Sequence, residues 1–279
     1  MDKRKLGRTD VEVTIMGLGG EGLLRSHGRD REAYTLINKA LDLGINYFES
    51  ARAYDGSEEY YGKALRERRK DIFLAGKSHA RTKEGALEHL HETLRNLKTD
   101  HLDLWQVHDV RTIGDVEELF AVGGAIDAFV EARDKGLTRF IGITGHQDPS
   151  VIRECIHRFD FDTMLVPVNP AEASQKSFLE EILPLAEERG VGIIGMKIYV
   201  RGFTSKLTFY TSMEAFFRYA LSQPIATAII GCDSLEQLEQ NVYFARSFKP
   251  MDWEQQDGFV DAVAPYARDL LYYREETRS

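Results

Sequence analysis

The chain has 279 residues, of which 43% are hydrophobic and 29% are charged, as is usual for a soluble globular protein. Its net charge of -9 argues against nucleic acid or an anionic membrane as the main partner. Cys155 and Cys232 form neither a CxxC pair nor a Cys/His cluster with zinc-ligand spacing, so no metal site is predicted. The charged N-terminus does not resemble a signal peptide, and no apolar run approaches the roughly 18 residues of a membrane span. We therefore expect a cytoplasmic protein.

Short apolar runs alternate with amphipathic helical segments along the chain. Two short strands around a turn at residues 7–10 are predicted over residues 5–13. Eight further strands are predicted at residues 13–17, 46–50, 71–77, 102–108, 139–144, 162–167, 191–197 and 225–231. Helices are predicted after them at residues 31–43, 58–67, 83–97, 123–135, 150–158, 177–189, 212–222 and 234–246. Ser57 and Ser234 are the expected N-caps of the second and last of these helices.

This alternation predicts the fold class. Strict alternation with short connections is typical of parallel strands joined by right-handed crossovers. An open doubly wound sheet would show the same alternation, but eight units without a break favour a closed α/β structure, the (β/α)8 barrel. We expect one domain over residues 1–279. In it, residues 111–122 form a long loop, and residues 252–279 form a C-terminal extension with a helix at 259–273 and a charged tail.

Polar residues follow three successive predicted strands, where a (β/α)8 barrel places its functional groups. Glu49 ends the second strand and Tyr54 lies in its loop. Lys77 ends the third strand and His108 ends the fourth. Each residue taken singly is more easily read as an ordinary polar or packing residue. Their coincidence at one mouth of the barrel indicates a catalytic site.

The four residue types suit the reduction of a carbonyl group. Tyrosine has an ordinary pKa of about 10, which a neighbouring ammonium such as that of Lys77 lowers. Glu49 can pair with Lys77 and fix its position, and His108 can donate a hydrogen bond to a carbonyl oxygen. Tyr54 is then the predicted proton donor to a developing alkoxide. The hydride must come from a cofactor, because no side chain supplies one.

Three segments resemble the aldo-keto reductase family. They are GINYFESARAYDGSEEYYGKAL (residues 44–65), FLAGKS with Lys77, and LDLWQVHDV with His108. The opening KLGRTDVEVTIMGLGG resembles the N-terminal hairpin that closes the bottom of the barrel in this family. The resemblance implies a catalytic tetrad of Glu49, Tyr54, Lys77 and His108, with Tyr54 as the general acid. The family usually has aspartate where this chain has Glu49.

The resemblance also implies a cofactor, NADPH with NADH possible, and a small carbonyl compound as substrate. The blocks GITGHQ, VPVNP, GIIGMKIYVRG and IIGCDSLEQLEQNV resemble the cofactor-binding blocks of the family. The implied cofactor-binding residues are Thr144, Asn169, Met196, Lys197, Gly231, Cys232, Asp233, Gln237, Gln240 and Asn241. Cations that commonly hold the 2′-phosphate of NADPH are replaced here by Gly231 and Gln237, with Asp233 nearby. Gly145 lacks the side chain of the usual asparagine.

Two other hypotheses remain open. The first is a catalytically weak, nicotinamide-binding barrel that acts as a redox-sensing or interaction protein, which the replacement at Glu49 favours modestly. The second is an unrelated metal-dependent barrel enzyme, although only His108 of the eight histidines ends a predicted strand. The substrate itself cannot be predicted. Candidates for the walls of its pocket are His27, Tyr47, Trp105, Tyr199, Phe203 and Tyr272.

Overall fold

The computed structural model describes residues 1–174, 177–200, 207 and 212–274. The strands in this part of the chain are β1 (Lys3–Lys5), β2 (Glu12–Thr14), β3 (Met16–Gly22), β4 (Tyr47–Glu49), β5 (Phe73–Ser78), β6 (Leu102–Val107), β7 (Thr138–Thr144), β8 (Thr163–Pro167), β9 (Gly192–Met196) and β10 (Thr227–Cys232). Eight of them are parallel and form a closed barrel in the order β10-β3-β4-β5-β6-β7-β8-β9, and β1 and β2 form a separate antiparallel pair. The predicted (β/α)8 barrel with an N-terminal hairpin is therefore confirmed.

Helices surround the barrel. They are α1 (Asp30–Asp42), α2 (Ser57–Ala64), α3 (Lys83–Leu97), α4 (Ile113–Phe120), α5 (Ala125–Asp134), α6 (Pro149–Arg158), α7 (Phe178–Glu181), α8 (Leu183–Glu188), α9 (Glu214–Ser222), α10 (Leu235–Arg246), α11 (Trp253–Val263) and α12 (Ala267–Leu270). No helix in the described part of the chain is both long and apolar enough to cross a membrane. Phe203 and the end of the predicted tail, residues 275–279, lie outside the described residues.

The barrel strands direct alternate side chains inward and outward, as strand geometry requires. Phe48 and Trp105 point outward and belong to the large apolar cluster beneath the helices. Tyr47 and Leu104 point inward and form a smaller cluster with residues of the N-terminal hairpin, including Val13. The hairpin therefore closes the bottom of the barrel, and the opposite mouth is left for the site.

The first barrel strand lies later in the chain than predicted. It covers Met16–Gly22, so the Gly-Leu-Gly-Gly segment expected to be a loop is part of the strand. A Cβ atom on Gly17 would lie 2.8 Å from the ring of Tyr47, and one on Gly19 would lie 2.9 Å from the side chain of Ile229. These glycines leave space inside the barrel for larger side chains from neighbouring strands, which explains why glycine is tolerated in a strand.

Prolines break two of the predicted helices. The helix expected at residues 177–189 is divided into α7 and α8, with Pro184 in the first turn of α8. The helix expected at residues 259–273 begins earlier, at Trp253, where Asp252 caps it, and its α-helical part ends before Pro265. Proline lacks an N–H donor and clashes with the preceding turn, so it starts a helix more easily than it continues one.

Two local predictions were also wrong. The segment expected to be a loop at residues 111–122 contains α4, which is held at its start by a capping box of Thr112 and Asp115. Ser57 does not cap α2, because its hydroxyl is turned inward and hydrogen-bonds to that of Ser50 at 2.8 Å. The cap predicted at Ser234 is confirmed, since its side chain accepts a hydrogen bond from the backbone of Gln237.

Candidate active site

The mouth of the barrel brings the four predicted catalytic side chains together. Lys77 Nζ lies 2.6 Å from Glu49 Oε1 and donates a hydrogen bond to it. The same ammonium is 3.3 Å from the carbonyl oxygen of Ser50 and 3.4 Å from the hydroxyl of Tyr54. The rings of Tyr54 and His108 meet edge to face, with centroids 5.9 Å apart. Three neighbouring strands and the loops after them thus supply an acid, an amine, a phenol and an imidazole to the same mouth of the barrel.

Tyr54 keeps its proton in this environment. Its loop is fixed by hydrogen bonds from the Tyr54 amide to Ala51 and from the Ser57 amide to Tyr54. Part of the side chain faces the cleft, but the surrounding protein excludes most water from the hydroxyl. Burial raises the pKa of Tyr54 to about 12, and the neighbouring Lys77 only partly opposes this effect. The predicted lowering by Lys77 is therefore present but smaller than the effect of burial, and the phenol is protonated at neutral pH.

Lys77 and His108 carry different charges although both are buried. Burial lowers the pKa of Lys77, but Glu49 and Tyr54 together outweigh burial and leave this pKa raised, so the amine is an ammonium. Burial, followed by the charge of Lys77 and that of His146, lowers the pKa of His108 well below 6.5. His108 is therefore a neutral imidazole, and its Nδ1 has no hydrogen-bond partner among the described residues.

A second pair of ionisable residues lies beside His108 and was not predicted. The Asp109 carboxylate is 2.7 Å from His146 Nδ1 and 2.6 Å from a guanidinium nitrogen of Arg111. Thr144 accepts a hydrogen bond of 2.7 Å from the Asp109 amide. Thr144 therefore fixes the chain next to His108 and does not line the cleft. Asp109 lies within the segment LDLWQVHDV and His146 within GITGHQ. Because both segments were predicted to contribute to the site, the sequence already indicated that these two residues lie near it.

The cleft extends from Tyr54 to the N-terminus of α10 and has a volume of about 690 Å³. This size is typical of a small-molecule or cofactor site. Of the predicted cofactor-binding residues, those that line the cleft are Met196, Lys197, Gly231, Asp233, Gln237, Gln240 and Asn241. Glu49 and Tyr54 line its other end. These seven predicted cofactor-binding residues therefore share one continuous cavity with Glu49 and Tyr54, whereas Lys77 and His108 do not belong to its lining.

Asn169 and Cys232 are buried and do not line the cleft. The Asn169 amide nitrogen donates to the carbonyl of Lys197 and to the hydroxyl of Tyr273, at 3.2 Å and 2.9 Å. Asn169 thus connects the loop after β9 to the C-terminal segment. Burial raises the pKa of the Cys232 thiol to about 12. The thiol is therefore protonated, and it lies 3.7 Å from the amide nitrogen of Asn241.

Glycines allow the first and last barrel strands to approach each other closely under the cleft. A Cβ atom on Gly231 would lie 2.9 Å from the carbonyl carbon and oxygen of Glu21. Gly22 has a φ of +70°, and a Cβ atom there would lie 2.8 Å from the carbonyl oxygen of Cys232. Side chains at these positions would push the strands apart. The glycines therefore preserve a smooth backbone floor on which an extended ligand can lie.

The described part of the far end of the cleft is acidic. Gln237 turns its side-chain oxygen back to accept a hydrogen bond of 2.8 Å from the Asp233 amide. The carboxylates of Asp233 and Glu236 both lie at the start of α10, where the helix dipole favours negative charge. Among the described residues that line the cleft, the cations are Arg25, beside Tyr54, and Lys197, which lies 3.8 Å from Glu21. No cation in the described lining accompanies Asp233 at the helix start.

Of the described residues that were predicted to form the walls of the substrate pocket, Tyr199 alone lines the cleft. Trp105 is fully buried outside the barrel and stacks on Phe129 with ring centroids 3.7 Å apart. Tyr47 is fully buried inside the barrel, below the site. Tyr199 does line the cleft and donates a hydrogen bond of 2.6 Å to Asn241. Neither His27 nor Tyr272 belongs to the lining.

The structure also bears on the metal hypothesis. No group of three or more His, Cys, Asp or Glu side chains within the described ranges is arranged to hold a metal ion. Nothing in this part of the chain therefore supports the metal-dependent barrel enzyme.

Comparison with known proteins identifies the family. The chain is 27% identical to the uncharacterized oxidoreductase YqkF of Bacillus subtilis, over 98% of both chains. It is 25% identical to L-galactose dehydrogenase of Arabidopsis thaliana, over 98% of this chain and 97% of that protein. The holo form of aldo-keto reductase AKR11C1 from Bacillus halodurans superposes with a TM-score of 0.78 at 27% identity, covering 99% of this chain and 100% of that one. A family model described as the Aldo/keto reductase family matches residues 15–216. The chain therefore belongs to the aldo/keto reductase family of oxidoreductases.

Proposed function

We propose that the protein reduces an aldehyde or ketone to an alcohol with a reduced nicotinamide dinucleotide, and that Tyr54 donates the proton. The observation that supports this most directly is the arrangement of Tyr54, Lys77 and Glu49 at one end of a cleft that reaches the N-terminus of α10. The similarity to an aldo-keto reductase described in a holo form supports a cofactor in this cleft.

Each of the four catalytic side chains has a role in this proposal. The dinucleotide supplies a hydride to the carbonyl carbon when it is bound. The neutral imidazole of His108 donates a hydrogen bond that polarises the carbonyl oxygen. Tyr54 passes its proton to that oxygen, and the phenolate left behind is stabilised by the Lys77 ammonium 3.4 Å away. Glu49 holds this ammonium in place. The main role of Lys77 is therefore to stabilise the negative charge that develops on the Tyr54 oxygen during the reaction.

The charges along the cleft bear on the choice of dinucleotide. The sequence resemblance implies NADPH, but its 2′-phosphate would lie near the carboxylates of Asp233 and Glu236 if the adenosine binds at α10. A carboxylate repels a phosphate and can accept hydrogen bonds from the ribose hydroxyl groups of NADH, as in other dinucleotide sites. We therefore propose NADH as the preferred cofactor.

A second candidate function is that of a barrel that binds the dinucleotide but turns over slowly, acting as a redox-sensing or interaction protein. The observation that favours it is the position of Lys77 Nζ, which is 2.6 Å from Glu49 but 3.4 Å from the Tyr54 hydroxyl. A lysine held by the longer glutamate side chain stabilises the phenolate less than a closer one would.

Titration with each dinucleotide, followed by a reduction assay, tests these proposals. The emission of the bound dinucleotide is the suitable signal, because Trp105 lies away from the cleft. We expect binding of NADH to be tighter than that of NADPH, and reduction of 4-nitrobenzaldehyde with NADH. Asp233→Asn should weaken this preference, whereas Glu239→Gln, which changes a carboxylate paired with Lys39, should preserve it. Tight binding without reduction would favour the second candidate, and absence of binding would contradict both.

A further inference from the structure

Arg25 lies in a tightly held turn directly after β3. Leu23 and Leu24, the two residues before it, are buried in the core. The Arg25 amide donates a hydrogen bond of 3.1 Å to the carbonyl of Gly22, and the Ser26 hydroxyl donates one of 2.6 Å to the carbonyl of Leu23. The backbone that carries the Arg25 side chain is therefore fixed to the barrel.

This turn also packs against the loop that carries Tyr54. Gly56 lies so close to it that a Cβ atom there would be 1.9 Å from the carbonyl oxygen of Ser26. His27 Nε2 and the Asp55 carboxylate form a further link of 2.9 Å between the two loops. As a result, the guanidinium carbon of Arg25 lies 5.3 Å from the centre of the Tyr54 ring. Arg25 and Tyr54 line the same end of the cleft.

The guanidinium of Arg25 is available to a ligand. Its side chain is 44% exposed, and its contact with Glu21 is 3.2 Å long. Glu21 also faces Lys197 at 3.8 Å, so its charge is not devoted to Arg25. A guanidinium has five N–H donors in a planar fork that matches a carboxylate. Within the described part of the chain, Glu21 supplies the one carboxylate that contacts this guanidinium, so most of its hydrogen-bonding capacity is unused.

We propose that Arg25 binds the carboxylate of the substrate, and that the protein acts on compounds that carry a carboxylate a few bonds from the reactive carbonyl, namely aldehydic acids and oxo acids. This inference rests on the proposed function, because it takes the carbonyl to be held by Tyr54 and His108. The guanidinium lies over the ring of the proton donor, so a short substrate can reach both groups. Arg25 then determines specificity and takes no part in proton transfer.

The test compares two aldehydes of similar shape that differ in charge, 4-carboxybenzaldehyde and 4-nitrobenzaldehyde. For Arg25→Gln, we expect the kcat/KM ratio of the carboxylate to the neutral substrate to fall roughly 10- to 100-fold, mainly through KM. Arg25→Lys keeps the positive charge but lacks the planar fork of N–H donors, so its kcat/KM ratio should lie between those of Arg25→Gln and the wild type. Arg29→Gln is the matched control. It removes a nearby arginine that pairs with Glu32 on the protein surface, and it should leave the ratio unchanged.

A binding measurement separates this inference from the proposed function. Calorimetry of 4-carboxybenzyl alcohol with the protein–dinucleotide complex reports carboxylate binding even if no reduction occurs. Weaker binding in Arg25→Gln, with dinucleotide affinity unchanged, supports the inference whether or not the enzyme assay succeeds. If the variant instead loses affinity for the dinucleotide, Arg25 contacts the cofactor phosphates and the inference is wrong. An unchanged ratio and unchanged alcohol binding would also overturn it.

Discussion

The lower and upper layers inside the barrel are built from the same strands but have opposite chemistry. In β4, Tyr47 belongs to the apolar lower layer and Glu49, two residues later, to the charged upper layer. In β5, Phe73 lies in the lower layer and Lys77 in the upper. A step of two residues keeps a side chain on the same face and moves it towards the mouth. The lower layer thus stabilises the barrel, while the upper layer places charged groups where solvent is scarce.

The largest effect on chemistry is expected from Tyr54→Phe, which removes only the hydroxyl of the upper layer. Loss of the proposed proton donor should lower kcat by at least about 100-fold. Dinucleotide affinity and the melting temperature should change little, because the one hydrogen bond of the hydroxyl to a described residue is the long contact with Lys77. Tyr60→Phe removes a hydroxyl that instead accepts a hydrogen bond from the Arg29 amide, and serves as the control. Substantial remaining turnover in Tyr54→Phe would show that another group supplies the proton.

The largest effect on stability is expected from Lys77→Met. This substitution leaves the buried carboxylate of Glu49 without its partner, which should lower the free energy of unfolding by about 3–5 kcal/mol. The double variant Lys77→Met/Glu49→Gln should regain most of the lost free energy of unfolding. It should stay inactive, because no charged partner remains for the phenolate. Denaturation in urea measures the stability.

In the lower layer, Leu104→Ala should cost a comparable amount, about 2–5 kcal/mol, while kcat stays close to that of the wild type. This comparison would show that the two layers differ in function and not in their contribution to stability. Equal loss of kcat in Leu104→Ala and Lys77→Met, measured on folded protein, would contradict the division into layers.

A smaller effect is expected from Glu49→Asp. The shorter side chain should hold Lys77 less closely and allow its ammonium to approach the Tyr54 hydroxyl, so we expect turnover to rise roughly threefold. Steady-state kinetics with 4-nitrobenzaldehyde measures this change. A lower rate would indicate that the cleft is adapted to glutamate, whose second carboxylate oxygen is buried without a partner in the described residues.

The smallest effect is expected from pH. In the proposed mechanism reduction needs protonated Tyr54, and this form is lost only as pH rises through its pKa of about 12. His108 is already neutral, because its pKa is lowered well below 6.5. We therefore expect kcat/KM for a neutral aldehyde to be nearly constant between about pH 7 and pH 9.5. A titration with a midpoint inside this window would indicate that the bound dinucleotide changes the pKa of one of these groups.

Much of the fold and the core of the site could be predicted from local sequence patterns. The positions of Glu49, Lys77 and His108 follow from where strands end, and strand ends are marked by residues close in sequence. Alternation along β6 and into the next residue also predicts that Trp105 and His108 face opposite ways, as the structure shows. The breaks at Pro184 and Pro265 were equally readable, because proline acts on its own turn.

The role of Arg25 could not be predicted in the same way. Its position depends on the contact between the loops after β3 and β4, which are separated in the chain by α1 and β4. The same holds for Asn169, whose partner Tyr273 is distant in the chain. Such pairs depend on closure of the barrel, which a local pattern does not describe.

The sequence by itself determined the alternation of strands and helices and the identity of the groups at the mouth of the barrel. Only the tertiary structure decided how those groups behave. Burial raises the pKa of Tyr54 more than Lys77 lowers it, and this balance depends on all the atoms that exclude water from the hydroxyl. Backbone periodicity is a property of neighbouring residues, whereas solvent exclusion and contacts between distant loops exist only in the folded barrel.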